Sequence, residues 1–449
     1  MHDLQRIDPI LHFGRVQSLI GPLLEVISPT QQAVIGTQCH IHTTNQRKIP
    51  GEVIGFRNNL YLVMPFENIV GVGPGSRVDF TATAAVIYPH HSWLGRVLNA
   101  RAIPIDDDRP LVYGHAAYSL KASPPAATTR RLVEKRLDMG VRAINTFLTC
   151  CQGQRMGIFS ASGIGKSILL SQLARFTQAD MIIIGLIGER GREVREFIDK
   201  HLGAEGLRKS IVIAATSDES ALMRRQAAYL TLTLAEYFRD QGAEVLCLID
   251  SVTRFAMALR EIGLAAGEPP ASKGYTPSVF AELPRLLERA GPGQHHTSQG
   301  DITGIFTVLV EGNDLDEPIA DAVRGILDGH IILNRAIAER GRFPPIDILR
   351  SLSRTVPDCH SQTEHALVMR ARRLLATYED MAEMIRLGAY RKGSNPAVDE
   401  AMDYYDSLEA FLAQGQYESA TLEDSFMALA SVLHKEDLQS TESINHGAY

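Results

Sequence analysis

The segment Met156-Gly157-Ile158-Phe159-Ser160-Ala161-Ser162-Gly163-Ile164-Gly165-Lys166-Ser167, followed by Ile168-Leu169-Leu170, constrains this chain more than any other. An apolar run of strand type enters a loop of small residues, meets Gly-Lys-Ser and continues with helical spacing. That order suits a bound phosphate: loop and first-turn N–H groups converge on the anion, and small side chains let it approach. The residues in position to cradle it are Ser162, Gly163, Ile164, Gly165, Lys166, Ser167 and Ile168. Lys166 is placed to reach the β- and γ-phosphates of a nucleotide, and the Ser167 hydroxyl to ligate Mg²⁺. The pattern GxxxxGK[ST] has glycine where this chain has Ser160, a change that removes no N–H donor. A glycine-rich turn with an incidental lysine is the bland alternative, and the flanking strand and helix patterns speak against it.

Around this segment, apolar strand patterns alternate with helical ones. The strands are Met156 to Phe159, Ile182 to Ile187, Ile211 to Ala215, Val245 to Ile249 and Ile305 to Val310. Ser167 to Phe176 and Ser220 to Arg239 have helical spacing. Such alternation predicts an α/β parallel sheet with helices on both faces, and ligands at the C-terminal ends of its strands. Two carboxylates fall at such ends. Glu189, in Gly188-Glu189-Arg190-Gly191-Arg192-Glu193, can orient an attacking water, with Arg190 near the transferring phosphoryl group. A surface ion-pair cluster is the competing reading of this run. Asp250, closing Val245 to Ile249, can hold Mg²⁺ or its waters, and Arg254 can reach phosphate. Helix capping is the competing role for Asp250.

Either side of this core the texture differs. From Gly14 to about Thr83, short strands such as Arg15 to Leu19, Leu23 to Ile27, Glu52 to Phe56 and Leu60 to Met64 are broken by Gly21-Pro22, Asn58-Asn59 and Gly73-Pro74-Gly75. That spacing predicts a small barrel or sandwich. Trp93 to Asn99 and Ser123-Pro124-Pro125 read as part of a connector. Beyond Ser361 the strands stop. Leu367, Ala371, Leu374, Tyr378, Met381 and Ile385 make one helical stripe, a second helix runs from about Val398 to Gln414, and Thr421 caps a third.

Composition excludes several alternatives. The 449 residues carry a net charge of −7, so nothing favours nucleic acid as a main partner. No apolar run is long enough for a membrane helix, and His2, Asp3, Arg6 and Asp8 interrupt any signal-like core at the start. Cys39, Cys150, Cys151, Cys247 and Cys359 form no CxxC pair and read as buried free thiols.

Together these stretches resemble a known family. Gly188 to Arg195, Asp250-Ser251-Val252-Thr253-Arg254-Phe255-Ala256, Gly267-Glu268-Pro269-Pro270, Asp316 to Asp321, Leu327 to His330 and Pro344 to Ser353 are similar to the export ATPases of flagellar and type III secretion systems. Those are relatives of the catalytic subunits of rotary ATP synthases. Arg155-Met156-Gly157, Gly203-Ala204-Glu205-Gly206, Gly388 to Ser394 and Leu408 to Leu412 resemble the flagellar branch.

The resemblance implies a barrel over residues 1–84, a RecA-like P-loop core over 85–358 and a helical domain over 359–449. It implies Mg²⁺-dependent ATP hydrolysis energising flagellar export, in a homohexamer with ATP between neighbours. Lys166, Ser167, Glu189, Arg190, Asp250 and Arg254 would then come from one subunit and an Arg354 finger from the next, with Phe343 stacked on adenine. Implied partners are export-gate, stalk and stator proteins and chaperone–substrate complexes, at the cytoplasmic base of the inner membrane. Two departures are visible: relatives tend to have glycine in the middle of Ser160-Ala161-Ser162, and often a longer extension before Gly14 that docks a stator protein. A virulence export ATPase, a non-catalytic ring subunit and an RNA translocase are the alternatives. Glu189 argues against the second and the acidic balance against the third.

Overall fold

The computed structural model describes residues 12–29, 32–81, 85–311 and 314–434. Residues 1–11, which bear on the signal-like and stator-docking readings, lie outside the described residues.

Six antiparallel strands close into a barrel: His12–Ile20, Leu23–Ile27, Gln38–His42, Lys48–Arg57, Leu60–Pro65 and Arg77–Phe80. Alternate residues fill its interior, among them Leu24, Val26, Ile41, Val53, Val63 and Val78. Asn58 and Asn59 both take positive φ (47° and 63°) in a two-residue hairpin loop, a conformation asparagine tolerates and the twist of the strands favours.

The core is an eight-stranded sheet in the order Leu352–Ser353, Gly329–Ile332, Arg155–Ser160, Ile302–Leu309, Val245–Asp250, Met181–Glu189, Ser210–Thr216 and Val97–Asn99. Seven strands run parallel and Leu352–Ser353 runs opposite. The doubly apolar strands are explained by cover on both faces. Ile183, Ile187, Ile213 and Cys247 pack with the helices Ala221–Asp240, Val252–Ala266 and Pro277–Leu287, while Ile182, Ile184, Val212 and Leu246 face the helix Lys166–Phe176 and the C-terminal helices. Val97–Asn99, expected in a connector, is an edge strand of this sheet paired with Val212–Ala214. Behind the first face, the fully buried Arg289 forks onto Glu236 (2.8 and 2.7 Å). It also donates to Thr233 Oγ1 (2.8 Å) and the Leu120 carbonyl (2.8 Å).

Three helices follow: Gln362–Arg386, Pro396–Leu412 and Leu422–Leu433. Ser361 and Glu364 form a reciprocal cap at the first, and Thr421 accepts from Asp424 N at the third. The second starts two residues before the expected position, because Asn395 caps it and Pro396 suits a first turn. The loop after it is fastened to the core. Gln414 bonds Arg142 N, the Gly140 carbonyl and the Phe343 carbonyl (2.8 Å each), and Gln172 and Arg175 of the helix Lys166–Phe176 hold the Gly415 and Gln416 carbonyls (3.0 and 2.8 Å). Among the described residues no helix is long and apolar enough to cross a membrane.

Candidate active site

The strand Arg155–Ser160 leads into the loop, and the loop into the helix Lys166–Phe176. Two of its residues need left-handed backbone, and both are glycine: Gly163 (φ 78°) and Gly165 (φ 94°), the latter at the cap position of the helix. Ala161 has no positive φ, so this turn makes no demand for glycine there. Ser160 is buried and its Oγ has no hydrogen-bond partner.

Lys166 Nζ lies between two carboxylates from neighbouring strand ends, Asp250 buried and Glu189 half-buried. It hydrogen-bonds Asp250 Oδ1 and stands 3.5 Å from Glu189 Oε1. Burial works against its charge, but Asp250 and Glu189 outweigh that and hold the ammonium above its ordinary pKa. Asp250 Oδ1 also accepts from Thr307 Oγ1 (2.7 Å), which projects from the adjacent strand. Asp250 is not the cap of the following helix. Ser251 takes that role, accepting from Arg254 N at 3.3 Å.

Glu189 is the unsatisfied member. Burial pushes its pKa up to about 7; Lys166 opposes the rise, while Asp250 and Glu193 reinforce it. Its Oε1 accepts no hydrogen bond and has only the ionic contact with Lys166. A carboxyl group poised near 7 is suited to orienting a water molecule and taking its proton. Gly188 sets its direction. It has φ 69°, the register shifts between Ile187 and Glu189, and a Cβ there would stand 2.8 Å from Arg254 Cβ. The Arg254 stem thus crosses beneath the bulge, and its Nε is buried without a partner.

Other expected residues are placed as follows. Ser167 is exposed at the start of the helix. The Phe343 ring, 44% exposed, lies beside the loop, 3.6 Å from where a Gly165 Cβ would stand. Arg190 does not join the cluster. Its side chain is 82% exposed and pairs with Glu193 at 3.5 Å, because it follows the strand end and leaves the crevice for the surface. Arg354 lies at the opposite end of the sheet. Its N–H donates to the Asp328 carbonyl (2.9 Å), and Asp328 N donates to Arg155 O (2.8 Å), at the start of the strand whose far end enters the loop. Five residues at about 3.3 Å each put it roughly 17 Å from that strand's end.

Sequence reasoning missed Thr307 and Gly188. A hydroxyl inside the apolar run Ile302–Leu309, and a glycine directly before a strand-end carboxylate, were the available signals.

The buried Oε1 of Glu189 accepts no hydrogen bond and meets Lys166 only across 3.5 Å, which suits a further positive charge. Among the described residues no group of three or more His, Cys, Asp or Glu could hold a metal alone. Mg²⁺ characteristically takes one or two protein ligands and completes its shell with phosphate oxygens and waters.

A barrel, a sheet with a lysine–carboxylate cluster behind its phosphate loop, and a helical domain define a P-loop protein of rotary ATP synthase type. The chain matches the models of the ATP synthase alpha/beta family, for the beta-barrel domain over residues 16–82 and the nucleotide-binding domain over 140–353. Residues 360–431 match the T3SS EscN ATPase C-terminal domain. It is 54% identical to a flagellum-specific ATP synthase of Caulobacter vibrioides over 96% of this chain and 98% of that one. The assembled ATPase EscN of the enteropathogenic E. coli type III secretion system superposes with a TM-score of 0.87 at 37% identity, covering 94% of this chain and all of that one. EscN in complex with its central stalk EscO gives 0.85 at 38%, with the same coverage. The chain belongs to the family of flagellar and type III secretion export ATPases.

Proposed function

We propose that this protein hydrolyses ATP with Mg²⁺ to energise the export of flagellar subunits. The observation carrying the proposal is the convergence of Lys166, Asp250 and the partner-poor Glu189 at the phosphate loop, in a chain 54% identical to a flagellum-specific ATP synthase. Loop amides and Lys166 bind the β- and γ-phosphates, Ser167 and Asp250 would hold Mg²⁺, and Glu189 orients the attacking water. The metal supplies charge neutralisation on the phosphate oxygens when bound. Phe343 stacks on adenine, and Arg254 steadies the phosphates. Arg354 cannot serve the loop of its own chain from the far end of the sheet, so it acts as a finger in the neighbour's site. The working unit is a homohexameric ring of chains with domains 1–84, 85–358 and 359–449. It sits at the cytoplasmic base of the inner membrane with gate, stalk and stator proteins and chaperone–substrate complexes.

The test is ATP turnover measured against protein concentration. Turnover per molecule rises as rings form, and Glu189→Gln lowers it by roughly a hundred- to ten-thousandfold with nucleotide still bound. Unchanged hydrolysis in that variant removes the catalytic assignment. The superposition on EscN favours a second reading, in which the cargo is a set of virulence effectors. A deletion strain separates the two: lost motility with intact effector secretion supports flagellar export, and the reverse outcome supports the other.

A further inference from the structure

Gln154 immediately precedes the strand Arg155–Ser160 and is fully buried. Its amide reaches the residues on both sides of Arg354. Nε2 donates to Ser353 Oγ (2.9 Å) and the Asp328 carbonyl (3.2 Å). Oε1 accepts from Cys151 N (2.8 Å) and faces Thr355 Oγ1 at 3.2 Å. Ser353 Oγ gives its own proton to the Thr149 carbonyl (2.8 Å), so toward Gln154 it must accept, which fixes the amide's orientation. The Thr355 hydroxyl shares one proton between Gln154 Oε1 and the same Thr149 carbonyl (3.1 Å). The Arg354 backbone completes the frame by donating to the Asp328 carbonyl. Asp328 is locked in turn, because its carboxylate accepts from Arg155 N (3.0 Å), Nε (3.0 Å) and Nη2 (3.1 Å).

The frame fixes the backbone on both sides of Arg354. The Arg354 side chain is exposed, whereas both residues beside it are tied to one buried amide. That amide stands at the base of the strand whose other end enters the subunit's own phosphate loop. Resting on the reading of Arg354 as a finger supplied to the next subunit, we infer that Gln154 is the positioning residue of that finger. The strand between Gln154 and Ser160 then links a subunit's own nucleotide to the aim of the arginine it offers its neighbour.

The test uses the full-length protein and mixed rings. Gln154→Met keeps side-chain length and removes the amide. Displacing a catalytic group by about an ångström can cost roughly a hundredfold in rate, so kcat falls on that order while nucleotide binding to the variant's own loop is unchanged. Mixed with Lys166→Ala subunits, whose finger is intact, Gln154→Met regains activity. Mixed with Arg354→Ala subunits it does not, because neither offers a placed finger. Wild-type turnover in Gln154→Met overturns the inference. So does absence of rescue by Lys166→Ala where Arg354→Ala is rescued. If Arg354→Ala is itself not rescued in rings shown to be mixed, the finger reading falls first and takes this inference with it. Should Gln154→Met fail to fold, Thr355→Val deletes one arm of the frame with little change of shape and enters the same mixtures.

Discussion

Two groups of buried charge flank the central sheet, and they are built in opposite ways. Arg289 and Glu236 are matched one to one, with both carboxylate oxygens and all three guanidinium nitrogens engaged, Thr233 and a carbonyl taking two further donations. Lys166 faces two carboxylates, and Oε1 of Glu189 is left without a hydrogen bond, 3.5 Å from the ammonium. Burial of charge alone therefore does not mark a working site. Imbalance beside the phosphate loop is the better marker, because a bound ligand can complete it there.

The contrast can be broken by substitution. The largest effect falls on the matched pair: Arg289→Leu strands a buried glutamate and costs about 3–5 kcal/mol, read as a lowered Tm, with nucleotide binding retained by the folded fraction. A Tm close to that of the native protein would show that the pair is not structural. Ligand addition gives the next largest effect and touches only the imbalanced group. At a hundredfold excess over Kd, Mg·ATP stabilises by about 2.7 kcal/mol, a shift kept in Arg289→Leu and lost in Lys166→Ala. Equal shifts in both variants would erase the distinction.

The smallest effect has a sign fixed by titration. Glu189 titrates near 7 when folded against an ordinary 4.5, so the folded state holds the extra proton between those values. Its burial is tolerated near pH 4.5 and opposes folding increasingly as pH rises through 7. In nucleotide-free protein, Glu189→Gln therefore stabilises the fold at pH 8 by on the order of 1 kcal/mol, read as a raised Tm, and leaves Tm unchanged near pH 4.5. A difference that shrinks as pH rises would contradict the assignment.

Much of this site was legible because its parts are local. Glu189 and Asp250 each close an apolar strand, and Lys166 follows the glycines that the loop geometry requires. What escaped is set by pairings distant in sequence. Val97–Asn99 is too short to announce itself, and it is a strand only because Ser210–Thr216 offers it an edge. Gly329–Ile332 and Leu352–Ser353 are likewise made by their neighbours. Arg190 went astray for the converse reason: nearness in sequence to Glu189 did not carry over to space, since the strand ends between them. Gln154 reads as an ordinary turn residue until Ser353 and Thr355, some 200 positions later, are folded against it.

The loop after the helix Pro396–Leu412 is held at once by Gln172 and Arg175, on the helix that begins at Lys166, and by the carbonyl of Phe343 beside the phosphate loop. The three C-terminal helices are thus splinted to the site at two points rather than tethered by a single flexible joint. Any displacement of the start of that helix would therefore reach the C-terminal helices directly, through these hydrogen bonds.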